Sequence, residues 1–238
     1  MIYQLEIIGY NLESCRLAQE AGATRIELCS SAAEGGTTPS YGCISNARRL
    51  LHIPLFPMIR PRGGDFVYSA DEFTAMAEDI MVCRRLGCDG VVLGLLQADG
   101  RIDKERTNRL VEMAYPMEVT FHRAFDRCIN PLEALEDIIE AGCDRLLTSG
   151  QQATAEEGID LISRLAKQAA GRIIIMPGSG VRNDNIQSLA ETTGLTEFHS
   201  SALQSAPGEP PKLNVEQVRA MAGLLNLLSQ QPSTDTLP

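Results

Sequence analysis

The stretch Gly22-Ala23-Thr24-Arg25-Ile26-Glu27-Leu28-Cys29 ends a helix-like segment at a glycine and then enters a short apolar run. The same pattern, a helix-like segment that ends at a glycine and is followed by a short apolar run, occurs three more times, with its glycine at Gly87, Gly142 and Gly194. Glycine just past a helix end adopts the left-handed cap conformation at little cost, so each passage predicts a helix followed by a strand. One more apolar run precedes each unit, at residues 5–8, 55–59, 118–121 and 173–176. Eight strands, each followed by a helix-sized interval, predict a single (β/α)8 TIM barrel.

The length and the charge of the chain narrow its class. Its 238 residues are close to the roughly 250 typical of one barrel. We therefore expect one domain over residues 1–228, followed by a disordered polar tail over residues 229–238. The net charge of −10 argues against a nucleic-acid partner, because neutralising phosphates requires a basic face.

The absence of targeting segments and of a disulfide framework predicts the cellular compartment of the protein. It has no run of about 18 apolar residues and no charged-then-apolar leader, so we expect neither a membrane span nor a signal peptide. Its seven cysteines form no regular disulfide framework. The sequence therefore predicts a cytoplasmic protein with free thiols.

Polar residues follow most of the predicted strands. In a barrel, the carboxyl ends of the strands carry the active site. The candidates selected by this rule are Glu27, Cys29, Arg60, Arg62, His122, Arg123, Asp126, Ser149, Gly178, Ser179, Gly180, His199 and Ser200.

Two of these groups are typical of anion binding. Gly178-Ser179-Gly180 is a glycine-rich turn that opens a helix, where free amides and the helix dipole favour an anion, and Ser200 could add a donor. The alternative is a tight turn that only needs glycine. Arg60 and Arg62 resemble a second anion clamp, and the alternative for them is a pair of salt bridges with carboxylates at the rim.

His122 and Glu27 are the candidates for proton transfer. His122 follows a predicted strand and could act as a general acid or base, with Glu27 or Asp126 as its partner. A satisfied, buried histidine is the alternative, and His199 is open to the same two interpretations. Glu27 lies in an apolar run, where an unpaired carboxylate is costly. We expect it to pair with an arginine, the alternative being a raised pKa.

Metal ligation has little support from local motifs. The chain contains neither C-x-x-C nor H-x-x-x-H. Cys29, Cys43 and Cys128 could approach the carboxyl-end rim, but their spacing does not show whether they converge. Most of the cysteines are expected to be small core residues.

Several long motifs resemble the CutC family between about residues 4 and 201. The segments that carry the resemblance are Ile26-Glu27-Leu28-Cys29, Glu34-Gly35-Gly36-Thr37-Thr38-Pro39-Ser40, Ile59-Arg60-Pro61-Arg62-Gly63-Gly64-Asp65-Phe66, Val119-Thr120-Phe121-His122-Arg123-Ala124-Phe125-Asp126, Leu147-Thr148-Ser149-Gly150-Gln151, Gly178-Ser179-Gly180-Val181-Arg182 and Glu197-Phe198-His199-Ser200-Ser201.

This resemblance implies a cytoplasmic (β/α)8 barrel that forms homo-oligomers and is associated with copper homeostasis and copper binding. It makes Cys29 the candidate copper(I) ligand. In relatives, cysteines can follow the first strand's Leu-Glu-Ile, whereas Ile8 and Gly9 stand there in this chain. No reaction comes with the resemblance.

Two functions of different classes remain open. The first is a copper-handling protein that binds copper(I) through cysteines such as Cys29. The second is an enzyme that acts by acid–base chemistry on a small phosphorylated or carboxylated metabolite, with Arg123 and Ser149 among the ligand-binding residues. A barrel that senses such an anionic ligand without turnover is a third possibility.

Overall fold

The computed structural model describes residues 2–204 and 212–230. Eight of its strands form the barrel: β1 (Gln4–Gly9), β2 (Arg25–Leu28), β3 (Leu55–Pro57), β4 (Gly90–Leu93), β5 (Glu118–Phe121), β6 (Arg145–Thr148), β7 (Ile174–Pro177) and β8 (Glu197–Ser200). Two short strands, β9 (Leu203–Gln204) and β10 (Lys212–Leu213), form an antiparallel ribbon after β8.

Each barrel strand is followed by a helix, as the sequence predicts. The helices are α1 (Leu12–Glu20), α2 (Tyr41–Leu50), α3 (Ala70–Arg85), α4 (Lys104–Ala114), α5 (Pro131–Glu140), α6 (Ile159–Ala169), α7 (Ile186–Thr193) and α8 (Val215–Gln230). Two 3-10 turns, Ala32–Glu34 and Arg123–Arg127, lie in the loops after β2 and β5. Helix α8 runs two residues past the predicted domain boundary, and the rest of the predicted tail lies outside the described residues.

The strands form two parallel sheets, ordered β3-β2-β1-β8 and β4-β5-β6-β7. A parallel bridge between Met58 and Val92 joins them on one side, and β7 lies beside β8 on the other. The predicted (β/α)8 architecture is confirmed. The four glycines of the repeated passage, Gly22, Gly87, Gly142 and Gly194, all have positive φ, as the predicted left-handed caps require.

The two faces of the strands carry different chemistry. Because strand side chains alternate, one set faces the helices and the other faces the barrel interior. Ile7, Ile26 and Phe198 belong to the large apolar core shared with the helices. Their neighbours Glu6, Glu27 and His199 are also buried, on the inner face.

The barrel interior contains a small apolar cluster made by Ile8, Cys29, Phe56, Met58 and Val92. The Phe56 ring of this cluster also contacts two buried arginines, since the guanidinium of Arg25 lies 5.1 Å from its centroid and that of Arg145 lies 5.6 Å away. Charged groups therefore fill the part of the interior that apolar side chains leave open. Within the described ranges, the structure contains no helix long and apolar enough to cross a membrane.

Candidate functional site

A cavity of about 340 Å³ opens at the carboxyl ends of the strands. This volume is at the lower end of the range for small-molecule pockets. Seven of the residues predicted from the sequence line it: Glu27, Arg60, His122, Arg123, Ser179, Gly180 and His199. Six predicted residues do not belong to the lining: Cys29, Arg62, Asp126, Ser149, Gly178 and Ser200.

A chain of alternating charges runs through the barrel and ends at this cavity. Its members, in order, are Glu118, Arg145, Glu197, Arg25, Glu6, His199 and Glu27. The central links are short, because Arg25 Nη2 lies 2.7 Å from Glu197 Oε2 and Arg25 Nε lies 2.6 Å from Glu6 Oε2. Strand alternation produces this chain, since its members come from inner-face positions of β1, β2, β5, β6 and β8.

Glu6 and His199 form the part of the chain next to the pocket. His199 Nδ1 lies 2.7 Å from Glu6 Oε1. Burial alone would raise the pKa of Glu6, but Arg25 and His199 outweigh it and hold that pKa at about 2. Burial works against the charged form of His199, yet Glu27 and Glu6 raise the pKa of its imidazole. Glu6 is therefore ionised at neutral pH and favours the protonated form of His199.

Glu27 is the last member of the chain and lines the cavity. Its Oε2 lies 3.8 Å from His199 Nε2, and its Oε1 is buried and has no hydrogen-bond partner. No arginine in the described chain pairs directly with this carboxylate, so the prediction that Glu27 forms an ion pair with an arginine is wrong. Burial raises its pKa to about 7, against the opposing charge of His199. At neutral pH this carboxyl group can both accept and release a proton.

His122 lies on the same cavity in a different state. The backbone amide of Ala124 donates to its Nδ1 at 3.1 Å, whereas its Nε2 is buried without a partner. Burial, followed by the nearby Arg60 charge, lowers its pKa to about 3. A Cβ at Gly94 would overlap the Nδ1–Cε1 edge of the ring, so glycine is required there. The ring is thus neutral and firmly held, and neither Glu27 nor Asp126 bonds to it.

Arg60 is anchored by backbone carbonyls. Its Nη1 donates to the carbonyl oxygens of Glu34 and Gly36 at 2.7 and 2.9 Å, and its Nη2 donates to that of Gly64 at 3.1 Å. Its Nε is buried and has no partner. The guanidinium therefore fixes two rim loops, and its remaining Nε–H has no acceptor among the described residues.

Arg62 does not complete the predicted clamp. Its Nε donates to Glu72 at 2.5 Å and its Nη2 to Asp65 at 3.0 Å, outside the cavity. The salt-bridge alternative describes this residue. The same Glu72 closes a capping box with Ser69 that begins α3.

Asp126 and Ser149 do not line the cavity, but they bond to residues of its rim. The carboxylate of Asp126 accepts hydrogen bonds from Thr148, Ser149 and Gln151, and pairs with Arg123 Nε at 2.7 Å. Ser149 Oγ also accepts from Arg123 Nη2 at 2.9 Å. Both residues therefore position Arg123, which itself lines the cavity.

The loop after β7 forms the remaining wall. Ser179 and Gly180 have positive φ values of 75° and 70°, and both line the cavity. The amide of Gly178 donates to Thr148 within the sheet and is not available to a ligand. Ser200 Oγ is likewise engaged, because it donates to the Val181 carbonyl and accepts from Ala202.

Gly178 and Ser200 were expected to contact the ligand, but Arg182 and Ser201 are the residues that line this part of the cavity. Both line the cavity, and Arg182 Nη2 donates to Ser201 Oγ at 3.3 Å. In the part of the chain that the structure describes, no carboxylate pairs with Arg182. Its charge is thus available to an anionic ligand beside the turn at Ser179 and Gly180.

Several residues of the site were missed by sequence reasoning. Glu6 was missed although the charged residue inside Leu5-Glu6-Ile7 repeats the alternation seen at Arg25 and Glu27. Arg182 lies two residues after the predicted glycine turn and could have been selected on that ground. Phe66 also lines the cavity and ends a motif that carries the resemblance, whereas Tyr10 lines it without any sequence signal.

Copper(I) has a poor set of donors here. Cys29 is buried, and burial followed by the Glu27 charge raises the pKa of its thiol well above the usual value. The group of described residues that could hold a metal ion is Glu6, Glu27 and His199, which offers oxygen and imidazole rather than thiolate. Both oxygens of Glu6 already bond to protein groups. A Cβ at Gly9 would overlap the Cys15 sulfur, so a cysteine at position 9 would also need room that this fold lacks.

Comparison with known proteins gives consistent results. A family model described as the CutC family matches residues 3–204. A Chromobacterium violaceum protein named as a family protein CutC is 60% identical over 198 residues, which make up 83% of this chain and 80% of that protein.

Solved structures agree with this match. A Streptococcus agalactiae protein named as an assumed copper homeostasis protein, CutC, is 35% identical, with a TM-score of 0.79 over 84% of this chain and 99% of its own. A thiamine phosphate pyrophosphorylase from Pyrococcus furiosus is only 17% identical, with a TM-score of 0.64 over 95% of this chain and 96% of its own. The second likeness shows the fold alone.

Proposed function

The chain belongs to the CutC family, and we propose that it binds a small anionic metabolite in the mouth of its barrel and exchanges a proton with it. One observation carries this proposal. Glu27 Oε1, Arg60 Nε and His122 Nε2 are buried polar atoms without protein partners, and all three residues line the same cavity. An unsatisfied buried polar group costs roughly 1–3 kcal/mol, so a ligand that bonds with these atoms recovers a substantial cost.

The charge of the cavity favours an anionic ligand. Arg60, Arg123 and Arg182 line it, and Glu27 is the one carboxyl group among the described residues of the lining. Among these arginines, Arg182 is the one we expect to hold the anion, because it lies near the Ser179–Gly180 turn and has no carboxylate partner in the described ranges. Planar guanidinium groups suit bidentate capture of phosphate or carboxylate.

Calorimetric titration of the purified protein with inorganic phosphate tests this proposal. We expect saturable binding that weakens at least tenfold in Arg182→Gln. Arg101→Gln is the matched control, because Arg101 pairs with Asp99 on the exposed surface and should leave binding unchanged. No binding by the native protein, or equal binding by the Arg182 variant, would contradict the proposal.

Copper binding is the second candidate, because a relative is named for copper homeostasis. Titration with Cu(I) under reducing conditions tests it. Uptake of one equivalent that Cys29→Ser abolishes and Arg182→Gln leaves intact would favour copper over the metabolite.

The cytoplasmic location and the homo-oligomeric state remain predictions from the sequence.

A further inference from the structure

The three unpartnered atoms of the cavity have different chemical roles. Nδ1 of His122 accepts the amide hydrogen of Ala124, so its lone pair is occupied and the ring proton is assigned to Nε2. Nε2 is therefore a hydrogen-bond donor with no protein acceptor. Since burial keeps this ring neutral, it can polarise an oxygen atom without giving up a full proton.

Arg60 supplies a second donor on the same wall. Its guanidinium lies 4.9 Å from the centroid of the Phe66 ring, and the His122 ring lies 5.0 Å from that centroid. Three carbonyl bonds hold its Nη atoms, so the guanidinium and its unpartnered Nε–H are held in one orientation. Two fixed donors that share a wall can stabilise one oxygen on which negative charge develops.

Glu27 supplies the complementary group. Its Oε2 faces the His199 ring, which Glu6 holds in place through Nδ1, and its Oε1 has a free lone pair. A carboxylate oriented in this way can remove a proton from carbon when the resulting charge is received elsewhere. The cavity thus combines a base with two donors for an oxyanion.

Carbonyl reactions that use a lysine amine or a cysteine thiolate lack these groups in the described lining of the cavity. No lysine belongs to the lining as far as the chain is described, so a Schiff base has no amine there from which to form. The Cys29 thiol interacts with Glu27 and does not belong to the lining, and burial disfavours its thiolate. Proton abstraction is the reaction that the available groups can perform.

We propose that the pocket catalyses enolisation of a small phosphorylated hydroxy-carbonyl compound, with Glu27 as the base and His122 and Arg60 as donors to the carbonyl oxygen. The proposal rests on the proposed function, since Ser179, Gly180 and Arg182 would hold the phosphate. It names the reaction and the class of substrate.

The step is balanced within the site. Glu27 takes a proton from the carbon beside the carbonyl group, and the electrons of that C–H bond form a carbon–carbon double bond. The carbonyl π electrons move to the oxygen, which becomes an enediolate oxygen bonded by the N–H groups of His122 and Arg60. Protonated Glu27 then returns the proton to the neighbouring carbon, while the hydroxyl proton moves between the two oxygens. No oxidant or reductant is required.

A pair of probes of similar size tests the donor half. Phosphoglycolohydroxamate resembles the planar enediolate, whereas sn-glycerol 3-phosphate carries the same phosphate on a saturated alcohol. We expect the native protein to bind the hydroxamate at least tenfold more tightly than the alcohol in calorimetric titrations. His122→Leu should abolish this preference while the Kd of glycerol 3-phosphate changes less than twofold.

Two further variants keep this test decisive. His122→Gln retains an N–H donor and should retain part of the preference, which a merely structural role of the ring would not produce. His52→Gln alters an exposed histidine and should change nothing. Equal binding of both probes by the native protein would overturn this inference and leave the proposed function standing, whereas binding of neither would overturn both.

Solvent exchange tests the base. Dihydroxyacetone phosphate incubated with the native protein in D2O should exchange its carbon-bound hydrogens faster than in a protein-free blank, as measured by NMR. Glu27→Gln should reduce the rate to that of the blank and still bind glycerol 3-phosphate. Exchange that persists in this variant, or that is absent with the native protein, would overturn the assignment of Glu27 as base.

Discussion

His199 Nδ1 lies 2.7 Å from Glu6 Oε1 inside the barrel, where both side chains are almost fully shielded from solvent. This bond orients the other nitrogen of the ring toward Glu27, the carboxyl group at the cavity. The ion pairs that hold Glu6 therefore also determine the environment of Glu27.

Replacement of Glu6 tests this arrangement. Glu6→Gln removes the carboxylate that bonds to both Arg25 and His199 and leaves these buried groups only Glu197 and Glu27, so we expect a loss of about 3–5 kcal/mol in the free energy of unfolding. Because the pKa of Glu6 is about 2 in the fold and 4.5 ordinarily, its stabilisation is present above pH 4.5 and is lost as the pH falls toward 2. Urea denaturation measures the loss. Glu13→Gln, at an exposed site on α1, should change stability by less than about 0.5 kcal/mol, and a similar small value for Glu6→Gln would contradict the prediction.

Replacement of Glu27 should have the opposite sign. Its pKa is raised from 4.5 to about 7 on folding, so its destabilising effect is absent below pH 4.5 and complete above pH 7. Glu27→Gln should therefore stabilise the protein increasingly between pH 5 and pH 8, by no more than about 3 kcal/mol at the upper end. Urea denaturation at both pH values checks this. An equal effect at pH 5 and pH 8 would show that the pKa is not raised.

The charge state of His122 is directly measurable. With its pKa lowered to about 3 by burial, the ring should remain neutral from pH 5 to pH 8 and carry its proton on Nε2. Nitrogen-15 chemical shifts of the imidazole report both properties. The urea-unfolded protein provides the reference, in which a histidine titrates near about 6.5. Titration of the folded ring in that range would contradict the buried, neutral assignment.

Gly94 determines the position of the His122 ring. A Cβ at this residue would overlap the ring edge, so Gly94→Ala should displace the imidazole and cost about 1–3 kcal/mol in the free energy of unfolding. Gly42→Ala is the matched control, because that glycine lies in α2 and a Cβ added there would meet no other atom within 4 Å. There the better helix propensity of alanine should stabilise the protein by about 0.5–1 kcal/mol. Equal effects of the two substitutions would show that Gly94 has no packing role.

Much of the fold was predictable because it depends on local signals. Each left-handed glycine cap follows from the absence of a Cβ, and each strand alternates between an apolar outer face and a mixed inner face. The carboxyl-end rule then placed Glu27, His122 and His199 together correctly.

The details of the site depend on contacts distant in sequence. Arg60 and Arg62 are two residues apart and look equivalent, but Arg60 bonds to rim carbonyls while Arg62 bonds to Glu72 at the start of α3. Glu27 was expected to pair with an arginine, but Arg25 bonds instead to Glu6 on the adjacent strand β1 and to Glu197 on β8. Such pairings depend on the order of strands around the barrel and on side-chain reach, which no local pattern reveals.

A thermal-shift screen of the metal-free protein tests the central claim most directly, using small phosphorylated and carboxylated metabolites with Cu(I) under reducing conditions alongside. We expect one class of anionic metabolite to raise the Tm, because a ligand at a hundredfold excess over its Kd stabilises by about 2.7 kcal/mol. That protection should disappear in Arg182→Gln and persist in Arg101→Gln. Protection by Cu(I) alone, saturating at one equivalent per chain, would contradict the metabolite-binding function.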